Sequence, residues 1–227
     1  MESKIINPIA YIKTDFKEKF GIPRQSGRSP SSVGEIVFRK EFSDENAFRG
    51  IEEFSHLWIV FDFNAVTKTE FSPMIRPPRL GGNKKVGVFA SRSPFRPNGL
   101  GLSSVKLEKV TKNTDGTISL AVSGVDLLDG TPVYDIKPYI PSCDCHVDAK
   151  GGFSERFTNY QLKVVIPDQL LSLIPIEKRK ALIECLKDDP RPSYQDDDRE
   201  YGMAFSHFNV KFKVEKDTLT VIAIDNL

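Results

Sequence analysis

Cysteine, histidine and tryptophan are scarce in this chain, at three, three and one in 227 residues. Cys143, Cys145 and Cys185 are too few, and odd in number, for a disulfide framework; such usage fits a reducing compartment. His56, His146 and His207 cannot supply a polyhistidine metal centre. No apolar run approaches the roughly 18 residues that span a bilayer. Met1-Glu2-Ser3-Lys4 lacks the basic-then-apolar profile of a secretion signal, so a cytoplasmic protein with no membrane partner is expected. Several site signatures are missing too: there is no G-x-x-x-x-G-K-[ST] loop, no G-x-S-x-G elbow and no H-E-x-x-H pair. Gly99-Leu100-Gly101 is followed by Ser104 where a dinucleotide fingerprint needs a third glycine.

Acid is absent from one long stretch. Between Glu70 and Glu108 there is no Asp or Glu, while Arg76, Arg79, Lys84, Lys85, Arg92, Arg96 and Lys106 contribute seven positive charges. The whole chain carries only +1, which leaves −6 elsewhere. Much of that acid lies in Asp188, Asp189, Asp196, Asp197, Asp198 and Glu200. Such segregation either concentrates a polyanion on one face or is neutralised when the two stretches fold together.

The first 140 or so residues read as β-rich. Ile5 to Ile12, Gly34 to Arg39, His56 to Phe63 and Lys85 to Ala90 are short runs of branched and aromatic residues between turn-forming segments. Gly101 to Val110 and Thr117 to Val125 flank Asn113-Thr114-Asp115-Gly116, a strong hairpin signal. One helix is expected after Ser43 as N-cap, with Asp44 and Glu45 in its first turn. So many strands with so little helix predict an antiparallel β-barrel over residues 1–141. Ser142 to Ser154 reads as a solvated linker. Beyond it, Tyr160 to Ile166, an amphipathic helix from Glu177 to Lys187, and the strand pair Asn209 to Glu215 and Leu219 to Ile224 predict a small α+β domain over 155–227. The fold class is therefore mainly β, α+β overall.

Metal-like residues cluster once, in Cys143-Asp144-Cys145-His146. The one-residue gap between its cysteines and the lack of a second ligand pair argue against zinc, so no metal is expected. His56 begins a very apolar strand and reads more readily as a core histidine than as a base. Three irregular segments carry more information: Ile22 to Arg28; Ile75 to Gly101, where prolines and glycines stiffen a backbone from which arginines project; and Asp126 to Pro141. Rigid loops lose little entropy on binding, which suits an anion or polar-ligand rim, although ordinary barrel turns would look similar.

Together these segments resemble the TsaA-like, or TrmO-type, tRNA (adenine-N6)-methyltransferases. The matching stretches are PRQSG (Pro23 to Gly27), RGIEEFSHLWIVFDF (Arg49 to Phe63), RPPRLGGN (Arg76 to Asn83), GVFASRSPFRPNGLG (Gly87 to Gly101), LDGTPVYDIKPY (Leu128 to Tyr139) and DPRPSY (Asp189 to Tyr194). The resemblance implies a barrel enzyme that uses S-adenosyl-L-methionine, acts as a homodimer, and methylates N6 of a threonylcarbamoyl-adenosine beside the tRNA anticodon. It places cofactor contacts at Ser26, Gly27, Arg28, Asn64, Ala65, Arg92, Leu102, Asp129, Gly130, Thr131 and Pro132. The family often has His-Gln where Asn64-Ala65 stand, and proline where Ser26 stands. Arg76, Arg79, Arg96, Arg191 and Tyr194 are the expected tRNA contacts; Asp135 and Tyr139 are candidate bases, if a base is used. A non-catalytic RNA-binding module is the alternative, and a small-molecule methyltransferase is disfavoured by the acid-free basic stretch.

Overall fold

The computed structural model describes residues 4–66, 71–191 and 199–227. Tyr194, an expected tRNA contact, lies outside them. Strands β1 (Ala10–Thr14), β2 (Val33–Phe38), β3 (His56–Asp62), β4 (Met74–Ile75), β5 (Val86–Gly87), β6 (Leu100–Lys112), β7 (Ile118–Ser123) and β8 (Thr131–Pro138) fill the first part of the chain. A closed antiparallel barrel forms in the order β1-β2-β7-β6-β3-β8. Period-two alternation drives it: Ala10, Ile12, Ile36, Leu57, Ile59, Val105, Leu120 and Val133 all turn inward and are buried. Gly101 permits the tightest contact, because a Cβ there would stand 2.2 Å from the Phe61 ring.

The hairpin at 113–117 forms as its residues require. Gly116 takes φ +82°, and Asn113 N donates to Thr117 O at 2.8 Å. Three other expectations are corrected. No α-helix follows Ser43. Short 3-10 turns at Lys40–Phe42, Glu45–Phe48 and Ile51–Glu53 stand there instead, and the cap is Asp44, whose carboxylate accepts from Asn46 N. Gly50 at φ +85° breaks the run. Lys85 to Ala90 is not a barrel strand: only β5 forms, paired with β4, before a 3-10 turn at Val88–Ala90. Conversely, the supposedly irregular Asp126 to Pro141 contains β8, which closes the barrel between β1 and β3. Pro132 and Pro138 masked its alternation in the sequence.

The C-terminal part comprises α1 (Pro141–Asp144), β9 (Lys163–Val165), α2 (Asp168–Leu171), α3 (Ile176–Lys187), β10 (Tyr201–Phe205), β11 (Phe208–Glu215) and β12 (Thr218–Asn226). Its sheet runs β10-β11-β12-β9, with β9 parallel to β12. Helix α3 buries Ala181, Leu182, Cys185 and Leu186, and the apolar core continues from this sheet into the barrel. Glu184 on α3 secures the contact by accepting from Ser31 N (2.8 Å), Ser31 Oγ (3.0 Å) and Ser29 Oγ (3.1 Å). Among the described residues no helix is long and apolar enough to cross a membrane.

Candidate functional site

Strand direction gathers the informative loops. β1 and β7 end, and β2, β6 and β8 begin, at the same barrel rim where β3 ends. The connections 15–32, 63–99 and 124–130 therefore leave one rim. Those at 39–55 and 113–117 leave the other.

At the first rim the turn at Asp129 is fixed from within. Asp129 N donates to Phe16 O and Gly130 N to Ile12 O, both at 2.8 Å; Thr131 Oγ1 donates to Leu128 O at 2.7 Å. The Asp129 carboxylate accepts from Thr14 N (2.9 Å) and Lys17 Nζ (2.7 Å). Burial opposes its charge, but these two bonds hold the carboxyl below its ordinary range. Pro132 follows on β8 opposite Tyr11. Gly27 N donates to Gly124 O at 2.9 Å, bringing the 24–28 loop against the β7–β8 turn. Gly27 (φ +76°) and Gly130 (φ +75°) both have open space where a Cβ would stand, so a ligand can approach either backbone closely. Asn64 is exposed beyond β3, and Lys19 Nζ donates to Ala65 O. Leu102 projects from the outer face of β6, 55% exposed.

Sequence reasoning missed the residue on which these pieces converge. Asp126 accepts from Ser103 Oγ at 2.7 Å, next to Leu102, and also from Ser26 N, with Arg92 nearby. Burial pushes its carboxyl above the ordinary range, against those hydrogen bonds and Arg92. The exposed Arg92 also donates to Gln25 Oε1. Tyr134 was missed as well. It is the extra residue of a β-bulge opposite Val60 and Phe61, and its hydroxyl donates to Asp62 Oδ2 at 3.3 Å. Its neighbours in the motif pointed to it only collectively.

The arginines of the site, Arg28 expected at the cofactor and Arg76, Arg79, Arg96 and Arg191 expected at the tRNA, divide into two groups. Arg28 and Arg79 are committed to the C-terminal part. Arg28 Nε reaches Asp188 Oδ1 at 2.8 Å, while its two terminal nitrogens donate to Thr158 O (2.8 Å) and Tyr160 O (3.1 Å). Arg79 donates to the same Asp188 oxygen at 3.1 Å. Arg24 joins them: its backbone N donates to Asp188 Oδ2, and its guanidinium to Asp189 O and Arg191 O. Burial, then the neighbouring Arg79, lowers the pKa of Arg24. Arg191 itself is buried, forked onto both oxygens of Asp189 at 3.0 and 3.1 Å. The acid near the C-terminus thus partly neutralises the basic stretch, as one of the two sequence-level alternatives required. Arg76 is exposed, and Arg96 donates to Ser91 O at 2.7 Å beneath the Phe89 ring.

Between this rim and residues 150–158 lies a cleft of about 1230 Å³. Arg24, Arg28, Arg76, Arg79, Lys85, Arg92 and Lys150 line it, with no carboxylate among the described lining residues. Part of the supposed linker is therefore a wall of the site: Gly152–Phe157 is a 3-10 turn facing the rim. The two candidate bases stand apart from it. Asp135 pairs with Lys137 at 2.9 Å, and Tyr139 packs on Trp58 beyond the far end of β8, about 20 Å along the strand from Pro132. His56 is at that far end too, accepting from or donating to Ser55 Oγ.

Residues 11–145 match the tRNA-methyltransferase O N-terminal domain and residues 160–227 the TrmO C-terminal domain. The chain is 38% identical to the tRNA (adenine(37)-N6)-methyltransferase of Escherichia coli K12 over 99% of both chains. It is 45% identical to the enzyme of that name from Eikenella corrodens, over 75% of this chain and 97% of that one. The solved structure of TrmO from P. aeruginosa superposes with a TM-score of 0.81 at 31% identity, covering 100% of this chain and 99% of that one. A closed barrel with this basic rim, matched from end to end, means that the chain belongs to the tRNA-methyltransferase O family.

Proposed function

We propose that this methyltransferase moves a methyl group from S-adenosylmethionine to N6 of the adenosine beside the tRNA anticodon, when that base already carries a threonylcarbamoyl group. The observation that carries the reading is the cleft whose described lining holds seven cations and no carboxylate, on the same rim as the open Gly27 and Gly130 turns. In the relatives, the names specify tRNA, adenine and N6, and one from Pseudomonas aeruginosa, 37% identical over 94% of both chains, carries S-adenosylmethionine dependence in its name.

The cofactor supplies a methyl already activated by a sulfonium, so the protein's task is alignment. Arg92 offers a cation for a carboxylate. The backbone of Asp129 to Pro132, rigid and open at Gly130, has its N–H groups engaged within the barrel and offers carbonyl acceptors to the amino edge of a purine. Asp126 holds Ser26 N and Ser103 in register behind them. The substrate N6 bears a carbonyl and gives up its proton more readily than a plain adenine amine, so no histidine or carboxylate pair is needed at the reacting atom. The barrel, residues 1–141, serves catalysis; residues 155–227 close the RNA side. The working unit is a cytoplasmic homodimer, which sedimentation at micromolar concentration should show at twice the 25.5 kDa chain mass.

The test is methyl transfer from labelled cofactor to matched tRNAs with and without the carbamoyl group. Transfer to the modified tRNA alone is expected. Equal rates on both would show that the protein itself acidifies N6.

A further inference from the structure

Two features of the cleft are not used by cofactor binding. The first is a set of unengaged cations. Arg76 and Lys85 on the rim and Lys150 on the opposite wall have no hydrogen bond or ion pair among the described residues. The second is exposed aromatic surface. Phe89 is 72% exposed in this basic setting, with the Arg96 guanidinium 5.9 Å from its ring centroid. The half-buried Phe153 and Phe157 of the 3-10 turn also line the cleft, and Arg79 lies 5.8 Å from the Phe157 ring. Beyond its contact with Arg96, the exposed Phe89 ring gains no burial energy in the free chain. A ligand that is both polyanionic and flat would cover it.

Single-stranded nucleic acid has that chemistry, since phosphates meet cations while an unstacked base lies on a ring. A duplex does not, because its bases are already stacked. We propose that this cleft is a clamp for unstacked nucleotides flanking the target adenosine, with the 150–157 turn as its second jaw. Phe89 stacks on one base, and Lys150, Arg76 and Lys85 take the adjoining phosphates. This assignment rests on the RNA-methylation reading above and adds to it which loop residues grip the substrate.

The experiment uses the full chain and an anticodon stem-loop RNA with 2-aminopurine replacing a loop base beside the target. Binding to the wild type should quench the probe. Phe89→Ala and Phe89→Leu, the latter apolar but without a π-face, should lose the quench and raise KM for tRNA roughly tenfold, the effect of one lost stack. Phe89→Trp should restore both. Lys150→Ala should keep the quench but flatten the salt dependence of binding by about one phosphate contact. The cofactor Kd of each variant reports on folding. Unchanged quench and KM in Phe89→Ala and Phe89→Leu, no rescue by tryptophan, or an unaltered salt slope in Lys150→Ala would overturn the clamp. A wild type that quenches the probe yet methylates no tRNA would sink the methylation reading and leave the clamp standing.

Discussion

The two ends of the barrel are built from the same six strands but treat charge in opposite ways. At the site end, one carboxylate is buried and shared. Asp188, with its side chain 5% exposed, receives Arg28 and Arg79, which are 24% and 19% exposed. At the far end the connection 39–55 carries five acidic residues against three basic. Pairs there are solvated: Lys112 and Glu45 are 64% and 65% exposed, Arg39 and Glu41 41% and 51%. Exposed pairs are screened and contribute little, whereas a buried hub fixes the geometry of everything it touches. The difference teaches where the fold tolerates electrostatic cost. It does so at the rim that must present cations to a ligand.

The largest effect should come from the hub. Asp188→Ala leaves Arg24, Arg28 and Arg79 facing one another half-buried, and should cost about 3–5 kcal/mol in urea unfolding. A loss as small as that of a surface variant would show that the arginines escape to solvent, and the contrast between the ends would collapse. Next is Arg92→Ala, which removes a charge-assisted contact without touching the core. Calorimetry should show cofactor affinity weakened roughly ten- to a hundredfold, and an unchanged Kd would remove Arg92 from the cofactor site.

A smaller, pH-dependent effect is expected at Asp126. Burial raises its folded-state pKa above the unfolded value, so folding takes up protons and the wild type loses stability as pH rises through that range. Asp126→Asn, which has no such charge, should have the higher urea midpoint at pH 7. The advantage should vanish as pH falls towards about 4, where the unfolded carboxyl also protonates. Lower stability of the variant at pH 7 would mean that the carboxylate's charge is what holds the Ser26 loop. The smallest effects belong to the far end. Lys112→Ala should leave the urea midpoint unmoved, and Tyr139→Phe should leave the methyl-transfer rate unmoved. A large rate loss in the latter would bring the far end into the site.

How much of this was legible in sequence depended on whether the signal was local. The 113–117 hairpin and the α3 helix announce themselves through turn chemistry and periodicity, and both stand close to where they were expected. The acid-free stretch marked the rim's sign of charge. Its pairing with Asp188 could not be read, because 109 residues separate Arg79 from its partner. Asp126 went unnoticed for the same reason: its importance lies in Ser103 and the Ser26 loop, neither of which adjoins it in the chain. β8 was hidden by its two prolines, and the 150–157 wall of the cleft by a Gly- and Lys-containing stretch that looks like a linker.

Amide hydrogen exchange on the full chain tests most directly whether cofactor and RNA meet at one rim. Exchange would be followed alone, with S-adenosylhomocysteine, and with tRNA. The account predicts that the cofactor product protects 24–28 and 126–132, that tRNA protects 76–96 and 150–158, and that 40–54 and 113–117 exchange equally in all three. Protection confined to the far end, with the rim unchanged by either ligand, would contradict it.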